Sequence, residues 1–232
     1  MQRHLLSALA LVLSTAVWAN DDVPTINGCK LEPSSNCAGM DLRNADLSNM
    51  NLRKINFDGA NLSGANLRHT QLDLATLNQA NLTGANLTRA SLQQASLRGA
   101  NLDKAKLVAI TGWAMMAQGS HGKNTDFSGA NLEFARLSGA KLTQANFKAA
   151  NLEMAWFTKS DLRKSTFIDA NMQESKFSEA NMAKADMSGA RRHYATFLGT
   201  FMEGCTACPL DWQATSINAS PCTANSGQSS GY

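Results

Sequence analysis

A chain of 232 residues carrying a formal charge of +3 is one domain, or one domain with short flanks. One of its 21 basic residues, Arg3, lies in a segment expected to be removed, which leaves +2 spread evenly along the chain. That balance excludes a nucleic-acid binder and the acidic surface of a DNA mimic. Aromatics are 6 % and prolines number 4, so a core forms only if small and medium side chains are placed regularly.

Residues 1–19 read as a secretory signal peptide. Arg3 and the amino terminus give a positive start, Leu5 to Leu13 is a short apolar run, and Val17-Trp18-Ala19 is a small-x-small cleavage site. The run is too short to span a bilayer comfortably, and Cys29 is too far from it to carry a lipid. The expected product is a soluble exported protein, periplasmic or secreted, that does not span the membrane after cleavage. Export permits disulfides. All five cysteines lie in the flanks of the chain. Cys29 and Cys37 form the local pair at one end. At the other, Cys208–Cys222 closes a loop through Pro209, Trp212 and Pro221, leaving Cys205 as a free buried thiol, with Cys205–Cys222 as the alternative. Cys205-Thr206-Ala207-Cys208 has CxxC spacing without the strand-helix context of a redox motif.

Residues 20–39, with Pro24, Gly28, Pro33 and Gly39, read as an irregular N-terminal cap over the open end of a repeat. A first regular tract occupies 40–107. Every fifth residue from Leu42 to Leu107 is large and apolar, the residue two before it is usually Ala, and the one between is often Asn or Asp. On an α-helix a step of five leaves successive leucines about 140° apart, so they share no face. On a straight strand a step of five changes sides each time. A spacing of two points Ala and Leu to one side of an extended segment, and the extra residue is absorbed by a bend at pairs such as Ser63-Gly64 and Thr83-Gly84. A short strand and a corner, always turning the same way, close into a coil whose copies stack at about 4.8 Å.

Residues 108–126 break the pattern but not its phase, since Phe127 follows Leu107 by twenty residues. Two readings stand: an irregular coil, or a loop projecting from a corner. As a loop it offers Trp113, Met115 and Met116 with a polar tip at His121 and Lys123, a candidate partner-binding patch. A second tract, 127–202, has a bulkier core of Phe and Met. Within it, Arg191-Arg192-His193-Tyr194 puts Arg192 at an apolar position, so 191–195 reads as a distorted turn. Residues 203–224 form a disulfide-locked C-terminal cap, and 225–232 a flexible tail.

Repeated Ala-Asn/Asp-Leu-x-x resembles the pentapeptide-repeat family over about three quarters of the chain. The resemblance implies an all-β fold, a right-handed quadrilateral β-helix of about seven to eight coils with disulfide-bearing irregular caps. Leu62, Leu82, Leu102, Phe127, Phe147 and Phe167 are then core repeat centres. Family members often dimerise through a C-terminal element; a disulfide loop there points instead to a monomer.

No catalytic set, cofactor site or metal site emerges. His69, His121 and His193 lack metal-ligand spacing, and the Ser-Gly pairs are corners rather than nucleophile elbows. Asn61, Asn81 and Asn101 are suited to stacked amide ladders. Trp156 and Phe201 take outward positions. The leading expectation is a non-enzymatic exported scaffold that presents a rigid surface to an unidentified protein or envelope component, without nucleic acid. Relatives that bind DNA gyrase and protect it from quinolones supply an alternative. A glycan-binding or glycan-acting β-helix supplies another, with Glu133 and Glu153 one coil apart.

Overall fold

The computed structural model describes residues 23–209. The expected signal peptide at 1–19, Trp212, Pro221, Cys222 and the tail at 225–232 lie outside the described residues. The described chain opens on an antiparallel hairpin of β1 (Thr25–Ile26) and β2 (Cys29–Lys30). From Asn36 to Thr206 it is a coil in which residue i bridges residue i+20 in parallel, without a break. Four such bridges fall in each coil, one per five residues, so the coil has four sides.

The five-residue phrase is explained by where its backbone N–H groups go. In the pentad Ala60 to Gly64, Asn61 N–H donates to Met40 O in the preceding coil at 2.9 Å. Leu62 N–H and Gly64 N–H donate forward, to Asn81 O at 2.8 Å and Thr83 O at 2.9 Å. Ala65 N–H closes the corner on Leu62 O at 3.0 Å. Ser63 N–H is left, and the Asn61 side-chain oxygen accepts it at 3.2 Å. Asn or Asp is therefore favoured at that place because its short side chain reaches a backbone donor two residues on. Where the residue is Ser or His instead, a side chain one coil earlier substitutes: Asp73 accepts Gln93 N–H at 3.1 Å and Asp103 accepts Lys123 N–H at 2.6 Å. The expected amide ladders are present as well, as in Asn171 Nδ2 to Asn151 Oδ1 at 3.0 Å.

Each corner has a residue with φ between +52° and +69° in third place, with the residue before it outside that region, the pattern of a type II turn. Inside, the large apolar residues form four columns, each with a residue every twenty positions, and the Ala positions lie between them. Two columns carry stacked rings: Phe127, Phe147 and Phe167 with centroids 5.0 Å apart, and Phe157, Phe177 and Phe197 at 4.9 and 5.3 Å. The columns meet edge to face, as in Phe147 against Phe157 at 5.6 Å. Leu62, Leu82 and Leu102 fill a third column and are fully buried. Polar residues in Ala positions stay satisfied: Thr70 and Thr125 hydroxyls donate to Leu47 O and Leu102 O, each at 2.8 Å.

Residues 108–126 are not a projecting loop. Ser91↔Thr111, Ser96↔Met116, Asn101↔His121 and Lys106↔Asp126 keep them in register. The sequence is irregular because two sides of this coil exchange sizes between their inward positions. Ile110 and Met115 are buried where other coils carry Ala, and Gly112 and Ala117 stand where others carry Leu or Phe. The next side is small at both positions, Ser120 and Gly122, and the side chains of Thr125 and of Leu142 in the following coil occupy the space a Cβ at Gly122 would take.

Two further expectations are corrected. Residues 191–195 are an ordinary side of the coil: Arg191 bridges Asn171, and Ala195 N–H closes its corner on Arg192 O at 3.0 Å. Arg192 takes the inward position half-buried, and its guanidinium donates to Ala207 O at 2.6 Å. Burial there holds it below the ordinary arginine pKa. Cys205 is not a free thiol and Cys208 is not bonded to Cys222. Cys205 bonds Cys208, with Cα atoms 6.0 Å apart, because the bend at Ala207 (φ 52°) returns the chain to the coil it has just left. Cys29–Cys37 forms as expected, with Cα atoms 5.1 Å apart.

Candidate functional site

The corner that carries residues 74, 94, 114, 134 and 154 differs from the other three. Its third-place residues include Leu74, Ala114, Phe134 and Met154, all with positive φ. A bulky side chain in that conformation is strained, at about 1–2 kcal/mol. Leu74 and Phe134 are also 40 % exposed. Non-glycine residues take this conformation at all four corners, so what sets this one apart is that it carries bulky apolar residues there, with Leu74 and Phe134 exposed.

Two adjoining columns complete the surface. Trp113 lies just before the corner and meets the Phe134 ring edge to face at 6.0 Å. Met116, Arg136 and Trp156 follow it on the next side, one per coil. Together with Leu74, Gln94 and Ala114 they line a groove of about 580 Å³. Trp156 is 42 % exposed and takes a cation from the coil on either side, Arg136 at 5.6 Å and Lys176 at 4.4 Å from its ring centre. Arg98 lies against the Met116 sulfur at 3.0 Å. Glu133 and Glu153 stand in the Trp113 column, one and two coils further on, and Glu174 at the corner itself. One rim is thus basic and the other acidic.

The structure divides the predicted binding patch. Trp113 and Met116 belong to the groove. Met115 faces inward and is fully buried. His121 and Lys123 are exposed on a different side, His121 bridging Asn101 and Lys141, and Lys123 beside Thr143, Gln144, Arg163 and Lys164. Leu74, Phe134, Arg136 and Lys176 escaped the sequence reading, although apolar residues at 74, 114, 134 and 154 are a twenty-residue signal. Glu133 and Glu153 are neighbours in one column, but Glu153 accepts from Asn171 Nδ2 at 3.1 Å, as a member of the polar ladder. Among the described residues no group of three or more His, Cys, Asp or Glu is placed to hold a metal ion. Among them, too, no helix is long and apolar enough to cross a membrane.

The chain is similar to HetL, a pentapeptide repeat protein involved in heterocyst differentiation regulation from the cyanobacterium Nostoc sp. strain PCC 7120. Identity is 24 %, with 73 % of this chain and 88 % of that one covered and a TM-score of 0.46. It is similar to QnrB1, a plasmid-mediated fluoroquinolone resistance protein, in a trypsin-treated form, at 17 % identity over 71 % of this chain and 90 % of that one, with a TM-score of 0.38. A pentapeptide repeat protein from the Arabidopsis thaliana thylakoid lumen is 19 % identical over 80 % and 86 %, with a TM-score of 0.22. No curated protein matches. Pentapeptide repeats, in 8 copies, match residues 41–79, 75–108, 125–163, 157–191 and 170–206. With the twenty-residue bridging and a four-sided coil already in place, the chain belongs to the pentapeptide-repeat family, whose fold is the right-handed quadrilateral β-helix.

Proposed function

We propose that this protein is a non-enzymatic exported scaffold, cleaved after Ala19, that works in the periplasm or outside the cell by presenting its corner groove to a protein partner. The observation that carries the reading is the groove itself: Leu74, Trp113, Phe134 and Trp156 expose apolar surface side by side on a rod whose other outward columns are mostly polar. A rigid backbone supports it, since every coil is tied to the next. Such a surface binds without paying to order itself.

The test is site-specific crosslinking. A photo-reactive side chain at position 113 is introduced into the full chain, with and without Phe134→Asp, and irradiated in a periplasmic extract. A discrete crosslinked protein that disappears with Phe134→Asp supports the reading. Labelling that ignores Phe134→Asp, or none at all, overturns it. N-terminal sequencing of the fractionated protein tests export, with Asn20 as the expected first residue.

A further inference from the structure

We infer that the corner groove receives an amphipathic α-helix, with an apolar stripe, acidic residues along one flank and basic residues along the other. This rests on the protein-binding reading above and specifies the partner's chemistry.

Backbone geometry selects the helix. An extended peptide docks by adding to a sheet edge with free N–H and C=O groups. The bridging residues along the groove have none to offer. Met116 N–H donates to Ala95 O and its C=O accepts from Leu97 N–H. Arg136 is likewise held between Met115 O and Ala117 N–H, and Trp156 between Ala135 O and Leu137 N–H. A docked strand would leave its own backbone groups unmatched against apolar side chains. A helix satisfies them internally.

The dimensions agree. From Leu74 to Met154 the corner descends four coils, about 19 Å at the stacking distance of strands. That length takes about thirteen helical residues. The rims set the charges: Arg98, Arg136 and Lys176 attract carboxylates on one flank, and Glu133 and Glu153 attract lysine or arginine on the other. The rings oppose a sugar. Trp156 has a cation from the coil on each side, and Trp113 is set edge to face against Phe134, so the rings do not form the parallel open platform on which a sugar stacks.

The experiment uses the full chain and defined peptides about fourteen residues long, read by tryptophan fluorescence and by circular dichroism of the peptide. One peptide has a leucine stripe flanked by Glu on one side and Lys on the other. A second has the same stripe with Lys on both flanks. The mixed peptide is expected to bind the wild type at least tenfold more tightly and to gain helix on binding. With Arg98→Gln, Arg136→Glu and Lys176→Glu both rims are acidic, and the order is expected to reverse. Phe134→Asp is expected to weaken both peptides. Equal affinities in every pairing, or binding without helix gain, overturn the inference. Two further probes separate it from the reading beneath it. If a proline-containing extended peptide of the same composition binds in a Phe134-dependent way, the helix fails and the protein scaffold stands. If soluble cell-wall oligosaccharides bind there instead, both fail.

Discussion

Ile110 lies beside Gly112 in such a way that each explains the other. A Cβ at Gly112 would meet the Ile110 Cδ1 at 3.4 Å and the Leu132 Cδ2 of the next coil at 3.0 Å. The large side chain has moved two residues earlier, and the usual place for it has been emptied. Gly112→Leu alone is expected to overpack the coil and cost about 1–3 kcal/mol. Ile110→Ala alone is expected to leave a cavity and cost about 2–5 kcal/mol. Together they restore the arrangement of the other coils, so the double variant is expected to be more stable than the sum of the singles. Urea unfolding of the four proteins measures that coupling.

Phase, not composition, decides which deletions fold. Removing residues 81–100 joins Ala80 to Asn101 and takes out one whole coil, because Asn81 bridges Asn101. The shortened rod is expected to unfold cooperatively at a slightly lower temperature. Removing 111–123 takes thirteen residues and brings every later inward side chain out of its column. That protein is expected to aggregate or to lose the β-sheet circular dichroism signal.

The side chain of Asn61 accepts from Ser63 N–H at 3.2 Å and from Asn81 Nδ2 at 3.3 Å. Asn61→Ala removes that one oxygen, which also accepts from Ser63 Oγ at 2.9 Å, and is expected to cost about 1 kcal/mol. Asn61→Asp keeps an acceptor oxygen there and is expected to remain close to wild type at neutral pH. Chemical denaturation of the pair tests whether the asparagine acts as an acceptor.

Peptide mapping of the oxidised protein is expected to return Cys29–Cys37 and Cys205–Cys208 as the bridged pairs. Cys222→Ser is expected to leave both bridges in place. A Cys205–Cys222 or Cys208–Cys222 peptide in the wild type would contradict the bonding at the C-terminal end.

The coil was legible in the sequence because its cause is local. Spacing of two within a pentad puts Ala60 and Leu62 on one side, and the residue left over forces a corner; no distant contact is needed to see it. The interruption at 108–126 was legible only as two alternatives, an irregular coil or a projecting loop, of which the coil holds. Trp113, Met115 and Met116 look alike as apolar residues outside the phrase, yet one is exposed, one is core and one lies half-buried on a side. Only the column each occupies, relative to neighbours twenty residues away, assigns their roles. The same holds for Arg192, which looked like a defect and has the Ala207 carbonyl in reach.

The sequence by itself determined the period, the turn positions, the inward leucines and phenylalanines, and the bonding of Cys29 to Cys37. The first three follow from side-chain size and backbone sterics within a few residues, and the disulfide from two cysteines eight residues apart. The tertiary structure decided which outward residues become neighbours. Leu74, Trp113, Phe134 and Trp156 are up to 82 positions apart along the chain and share one groove, because stacking at a twenty-residue pitch converts sequence distance into adjacency.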